Sequence, residues 1–329
     1  MPVSGPSIDE IRLLRSSLGD DIYRTPVLRC AGIEDYLGNA ARIFAKLEFL
    51  QRTGTFKARG ALAALRSLSP EQRAAGVTAV SAGNHAIATA FAAAVTGTSA
   101  KVVMLASANP MRMDMCRSFG AELVLADDVH SAFEIAEQIE RSEGRFFVHP
   151  FEGPEIAAGT GTVGLEICEQ NHEFDTVIVP IGGGGLIGGM ANAIKQLRSD
   201  VEVIGVEPVG ADSMSRSLTA GEPQAIDKVR TIADSLGAPF ALPYSFELCR
   251  SNVDRIVLID DDQLREAMGF LFSFMKIAVE PACAASTAAL LGPLRNDIQG
   301  RSIVLTMCGS NIDWSTFAQQ AVFRDFHAG

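Results

Sequence analysis

Apolar positions along the chain fall into short unbroken runs, separated by longer stretches in which apolar residues recur every three or four places. The first pattern predicts buried strands and the second amphipathic helices. In the first half, strands are predicted over 43–47, 77–80, 101–105, 122–125 and 146–149, with helices over 56–65, 85–95, 111–119 and 131–140. After Pro150 the rhythm restarts: a strand over 176–180, a helix over 186–197, a strand over 203–206 and a late strand over 303–307. Such alternation is the rhythm of βαβ units, so the predicted fold class is α/β with mainly parallel sheet. No internal repeat or low-complexity tract interrupts it.

Glycine-rich turns sit just after several of these strands, where a parallel sheet presents its carboxyl ends to a ligand. In the segment Thr53-Gly54-Thr55-Phe56-Lys57, a turn enters a helix with a lysine in its first turn. The helix N-terminus carries partial positive charge, so a lysine there is misplaced unless something compensates. An aldehyde cofactor with a phosphate would compensate, because an imine consumes the amine and the phosphate cancels charge. An ordinary solvated lysine is the alternative. The segment Ser81-Ala82-Gly83-Asn84-His85 runs from strand to tight turn to helix, and backbone N–H groups at such a start suit a carboxylate. Asn84 adds an amide for a ring hydroxyl, although Ser81 or Asn84 could equally be a plain helix cap. In the third segment, Gly182, Gly183, Gly184 and Gly185 let backbone approach a phosphate closely. Gly183, Gly185 and Gly188 also satisfy a dinucleotide-binding spacing, with Glu207 ending the next strand, so this segment leaves the owner of the phosphate open.

Composition narrows the partners. The 329 residues are 47% hydrophobic and 20% charged, which is ordinary for a globular protein with a buried core. A net charge of -11 argues against nucleic acid or an anionic membrane as partner. Cys30, Cys116, Cys168, Cys249, Cys283 and Cys308 are scattered without metal-ligand spacing, as expected in a reducing compartment. Acidic Asp9 and Glu10 and the lack of an apolar run over 1–18 argue against a secretory signal, and no stretch reaches membrane-spanning length. The expectation is a cytoplasmic protein.

Taken together, Thr55-Phe56-Lys57 with Arg59-Gly60-Ala61, Ser81 to His85, Gly182 to Gly185 and Cys308-Gly309-Ser310-Asn311 resemble the fold-type II pyridoxal-phosphate enzymes. Within them, the chain is similar to the threonine/serine dehydratase (ammonia-lyase) and serine racemase branch. The likeness runs from about Tyr23 to Trp314 and includes His149-Pro150, Gly159-Thr160-Gly161-Thr162, Thr231-Ile232-Ala233-Asp234 and Glu280-Pro281. A dinucleotide enzyme would leave the Lys57 and Asn84 segments unexplained. The resemblance implies two open parallel-sheet domains, tryptophan-synthase-β-like, with pyridoxal 5'-phosphate in the cleft between them. Residues 1–52 and 153–329 would form the large cofactor-binding domain, and 53–152 the small one.

The same resemblance assigns roles. Lys57 would hold the cofactor and move the proton, Phe56 would pack beside the ring, and Asn84 would bond its phenolic oxygen. Gly182, Gly183, Gly184 and Gly185 would hold the phosphate, and Cys308 would face the pyridine nitrogen. Ser81, Ala82, Gly83, Asn84 and His85 would take the substrate carboxylate. The implied reaction is β-elimination of a small hydroxy-amino acid of the L-threonine or L-serine type, giving an oxo acid and ammonia, in a homodimer. A hydroxyaspartate-type ammonia-lyase and a racemase are the alternatives on the same fold. Further rivals are β-replacement as in cysteine synthases, a dinucleotide oxidoreductase, and a non-catalytic carrier of the cofactor.

Departures from the pattern matter. Ala82 stands where racemases place a proton-donating serine, so racemisation would need another donor, with Ser235 as a candidate. Thr160 replaces a frequent Gln, which puts substrate choice at that position in question. Glu207, Ala211 and Ser213 align with a cation site of the branch. With Ser213 adding no charge, a monovalent ion suits them better than Mg²⁺ or Ca²⁺, and Glu207 bonded to loop backbone is the equal alternative. The chain stops soon after the catalytic unit, so a biosynthetic-type regulatory domain is not expected. His130, His172 and His327 read as surface residues. Asp127-Asp128 and Asp260-Asp261-Asp262 read as caps or turns.

Overall fold

The computed structural model describes residues 4–324 and contains two sheets. The first is built from β1 (Val27–Arg29) and β2 (Arg42–Leu47), the second from β3 (Val77–Val80), β4 (Ala100–Leu105), β5 (Glu122–Ala126) and β6 (Phe146–Phe147). The chain then returns to the first sheet with β7 (Thr176–Pro180), β8 (Glu202–Pro208), β9 (Arg255–Ile259) and β10 (Ser302–Met307). The strand orders are β1-β2-β10-β7-β8-β9 and β5-β4-β3-β6. Every pairing is parallel except β1 with β2. The predicted α/β class with parallel sheets is what the chain forms.

Parallel strands are buried on both faces, and these run as near-continuous apolar stretches for that reason. In the four-stranded sheet, helix Asn84–Thr96 covers one face and Val129–Glu143 the other. In the six-stranded sheet, helix Pro281–Leu291 packs under β7, β8, β9 and β10. Helix Pro154–Gln170 joins the two halves, packing against both Lys57–Ser67 and Gly185–Leu197. Its small residues allow this. A Cβ added at Gly159 would lie 2.6 Å from the Arg59 carbonyl oxygen, and one at Gly164 would lie 2.6 Å from that of Met190.

The pattern missed β1, β9 and several helices. Helix Pro281–Leu291 is buried on all sides, so it carries no polar stripe to betray its period. The strand predicted over 146–149 shortens to Phe146–Phe147, because Pro150 follows and ends the ladder. Asp128 and Asp260 each form a capping box, as their predicted role requires. His130 and His172 are exposed, and His327 lies outside the described residues. Among the described residues no helix is long and apolar enough to cross a membrane.

Candidate active site

The turn ahead of Lys57 is pinned to the segment following β10. Gly54 takes a φ of +72, in the left-handed region that favours glycine. The Phe56 N–H donates to the Cys308 carbonyl at 3.1 Å and the Ser310 N–H to the Gly54 carbonyl at 3.0 Å. Lys57 is thereby fixed as the first residue of its helix. Its Nζ donates to the Pro150 carbonyl at 2.5 Å and lies 5.2 Å from the centre of the Phe56 ring. Burial pulls the amine down to about 8, against the opposing pull of nearby groups that include Glu280. An amine so depressed is suited to imine formation and proton transfer.

Lys57 opens into a cavity of about 330 Å³ that Ser81, Ala82, Gly83, Asn84, His85 and Gly183 also line. Asn84 begins helix Asn84–Thr96, and Gly185 begins helix Gly185–Leu197. Neither helix start has a side-chain cap. Among the described residues, the N–H groups of Ala82, Asn84, His85, Gly182, Gly183 and Gly184 have no protein acceptor. One helix start thus brings the free N–H groups of Ala82, Asn84 and His85 to the cavity and the other reaches it through Gly183, which suits a carboxylate and a phosphate. The glycines are required there. A Cβ at Gly183 would lie 2.3 Å from the Phe151 ring, and Gly184 takes a φ of +90. The residues present fit pyridoxal phosphate: a buried low-pKa lysine, an amide beside it and an anion cradle.

The other expected residues stand behind the cavity wall. Phe56, Gly182, Gly184, Gly185 and Cys308 do not line it. Cys308 is buried, and its hydrogen bond with Cys283 and its burial push the thiol well above its ordinary value, so it is neutral. Thr160, where substrate choice was in question, is buried outside the cavity lining, its hydroxyl shared between the Ile156 and Gly185 carbonyls at 3.0 and 2.8 Å. The glycine-threonine run is instead a helix-crossing device, with Thr162 accepting from Arg59 at 3.0 Å.

Glu207 is also fully buried. Its two oxygens accept from the Met214 and Ser215 N–H groups at 2.9 and 2.8 Å, while Ser213 donates to the Ala238 carbonyl at 3.1 Å. Glu207 therefore holds the start of helix Ser213–Ala220 and is not available to a ribose, which removes the acid from the dinucleotide reading. No group of three or more His, Cys, Asp or Glu able to hold a metal occurs among the described residues.

Sequence reasoning assigned no role to several residues gathered here. Asn84 Nδ2 donates to Glu280 Oε1 at 2.7 Å and to Ser235 Oγ at 3.1 Å, and its Oδ1 accepts from Asn311 Nδ2 at 2.8 Å. Arg112 donates to Asp234 at 2.5 Å above this set. His149 lines the cavity, and its Nδ1 accepts from the Phe151 and Glu152 N–H groups at 3.2 and 3.0 Å. Burial and Lys57 lower its pKa to about 4, so the ring is neutral and its proton resides on Nε2. His85, lowered to about 3 by burial and by Lys57, donates from Nε2 to the Val148 carbonyl at 2.8 Å. His149, Asp234, Glu280 and Asn311 stand in segments that carried the family resemblance, but no role followed from them there. Arg112 gave no signal, since an arginine on a short helix reads as solvated.

Beneath the site lies a buried ion network. Arg59 donates to both oxygens of Glu48 (2.8 and 2.9 Å) and both of Glu166 (2.9 and 2.8 Å). Lys46 donates to Glu166 at 2.6 Å, and Arg15 reaches the same carboxylate at 2.6 Å. This network ties the Lys57 helix to β2 and to helix Pro154–Gln170.

Comparison with known proteins agrees with this geometry. The family described as pyridoxal-phosphate dependent enzyme matches residues 18–309. A phenylserine dehydratase of Ralstonia pickettii is 50% identical, covering 95% of this chain and 96% of its own. A catabolic L-threonine dehydratase of Escherichia coli K12 is 38% identical over 97% of both chains. The maize serine racemase structure superposes with a TM-score of 0.90 at 33% identity, covering 96% of this chain and 97% of the other. The matched span contains Lys57, the Ser81 to His85 turn and the glycine cradle, and this chain belongs to the pyridoxal-phosphate dependent enzyme family.

Proposed function

We propose that the protein is an ammonia-lyase that removes the α-proton and β-hydroxyl of a β-hydroxy-α-amino acid, releasing an oxo acid and ammonia. The observation that carries this is the depressed Lys57 amine facing two unsatisfied helix starts across one cavity. When bound, pyridoxal phosphate supplies the aldehyde that Lys57 joins and a conjugated ring that accepts the electron pair left by the departing proton. Lys57 Nζ, once displaced by the substrate amine, takes the α-proton. The free N–H groups of the Ser81 to His85 turn orient the substrate carboxylate, and Gly182 to Gly185 anchor the phosphate. Phe56 packs behind Lys57. Neutral Cys308, just outside the cavity lining, would give the pyridine nitrogen only a weak partner, which suits elimination, where the leaving group drains charge at once.

The cavity also supports a choice of β-substituent. Away from Lys57 its wall is apolar, formed by Leu105, Val129, Ala132, Phe133 and Phe240. Phe133 is 48% exposed, a large aromatic face left open at the rim. Arg112 on the wall is already paired with Asp234, which, beyond Lys57, leaves no free cation among the described lining residues for the second carboxylate of a hydroxyaspartate. A threonine methyl fits, and an aryl group as in phenylserine would cover more of the wall. The test is oxo-acid release from L-serine, L-threonine and threo-phenylserine. The aryl substrate is expected to give the highest kcat/KM. Phe133→Ser is expected to raise its KM roughly 10-fold while threonine changes little. Equal loss on all three substrates would remove the assignment of that wall.

Ala82 supports elimination over racemisation, since its methyl cannot return a proton. Ala82→Ser is expected to introduce racemisation, read as D-enantiomer on chiral chromatography; its absence would count against that reading of the turn. We read residues 1–52 with 153–329 as the large domain and 53–152 as the small one, on the division between the two sheets. A homodimer is supported by the exposed aromatic cluster of Trp314, Phe272 and Phe323, and sedimentation tests it. A cytoplasmic location is supported by six free, buried cysteines.

A further inference from the structure

Arg112 stands between two carboxylates of opposite exposure. Asp234, 57% exposed, takes its NH1 at 2.5 Å; Glu280, 1% exposed, has Oε2 3.6 Å from its NH2. The Arg112 Nε also donates to the Asn311 carbonyl at 3.1 Å, and its guanidinium lies directly over Gly83. Glu280 Oε2 lacks a hydrogen-bond partner of good geometry among the described residues, a costly state for a buried oxygen. The other Glu280 oxygen is used. It accepts from Asn84 Nδ2, and Asn311 donates to Asn84 Oδ1, so the two together decide which way the Asn84 amide faces. The second Asn84 N–H points to Ser235 Oγ on the cavity wall, and this is the donor a ring hydroxyl would take over.

We propose that Arg112 is a positioning residue for the cofactor: its charge keeps Glu280 ionised, Glu280 fixes the Asn84 amide with its N–H toward the ring, and Asp234 competes for the same guanidinium. The proposal rests on the reading above that the ring lies against Asn84. A protonated Glu280 could donate instead of accept, and the amide would lose its fixed orientation. The groups facing Glu280 are Arg112, Asp234, Lys57, Cys308 and the Asn311 backbone. Burial pushes Glu280 up to about 7; Arg112 opposes this and Asp234 adds to it. Cofactor hold is therefore strong above that pH and weakens as pH falls through it.

The two ends of the Arg112–Asp234 pair then have opposite effects, whereas a merely structural latch would suffer equally from losing either end. The experiment measures pyridoxal-phosphate dissociation from the holoenzyme, followed by its visible absorbance, across the pH range on both sides of neutrality. Arg112→Met is expected to move the acid limb up by about one pH unit. Asp234→Asn is expected to move it down, and Arg112→Lys to restore most of the wild-type curve. Shifts of the same sign in the two variants, or none, overturn the proposal. Should Arg112→Met fail to fold, Asp234→Asn decides alone, because only charge competition predicts tighter hold at acid pH. A wild-type protein that takes up no cofactor would sink the reading of the site itself, and this proposal with it.

Discussion

Lys57→Ala is expected to lower oxo-acid release by roughly a thousandfold or more, since it removes both the covalent anchor and the base. The helix should survive, because alanine favours a helix more than lysine does and, among the described residues, the Lys57 side chain makes one hydrogen bond, to the Pro150 carbonyl, while its backbone N–H bond to Thr55 is kept in the variant. The melting temperature of the variant apoprotein should therefore match that of wild type. Borohydride reduction followed by mass spectrometry should place the cofactor on residue 57 in wild type and leave the variant unlabelled. Retained turnover, or label elsewhere, would assign the chemistry to another group.

The largest expected effect on stability lies in the buried ion network that holds the Lys57 helix through Arg59. Glu166→Gln leaves Lys46 and Arg59 with Glu48 as their one carboxylate among the described residues and takes from Arg15 the carboxylate it bonds. Removing one partner of a buried pair costs about 3–5 kcal/mol. Burial raises the Glu166 pKa, yet Arg59 and Lys46 outweigh it and hold the group at about 2. Its folded pKa is thus depressed, so its stabilising contribution is full above the ordinary carboxylate range and is lost as pH falls toward 2. The gap in melting temperature between wild type and Glu166→Gln should be widest near neutral pH and close progressively on acidification. A gap independent of pH would mean that packing, not charge, is what the residue supplies. Because the network grips the Lys57 helix through Arg59, the variant should also lose activity before it loses its fold on heating.

Much of the site was legible because its pieces are local. A glycine-rich turn between an apolar run and a helix announces itself within a dozen or so residues, and three of them were found that way. Lys57, Asn84 and Gly183 then needed only the fold to bring them to one cavity. The residues that hold them were not legible. Glu280 lies 196 positions from Asn84, and Asn311 lies 227 from it. Arg112, on a nine-residue helix of low amphipathicity, looks in sequence like any solvated arginine. At Thr160 the sequence left substrate choice in question, and only the structure shows that helix Pro154–Gln170 turns that side chain into the packing seam.

By itself the sequence determined the α/β class, the parallel strands and the turns that carry the chemistry, because apolar period and glycine placement act over one or two neighbouring elements. Only the tertiary structure decided which charges are buried, how Arg112 is shared between two carboxylates, and that the cavity wall beyond Lys57 is apolar. Those properties depend on what lies opposite a side chain across the cleft. Local spacing constrains the backbone; burial and charge balance are set by segments far apart in the chain.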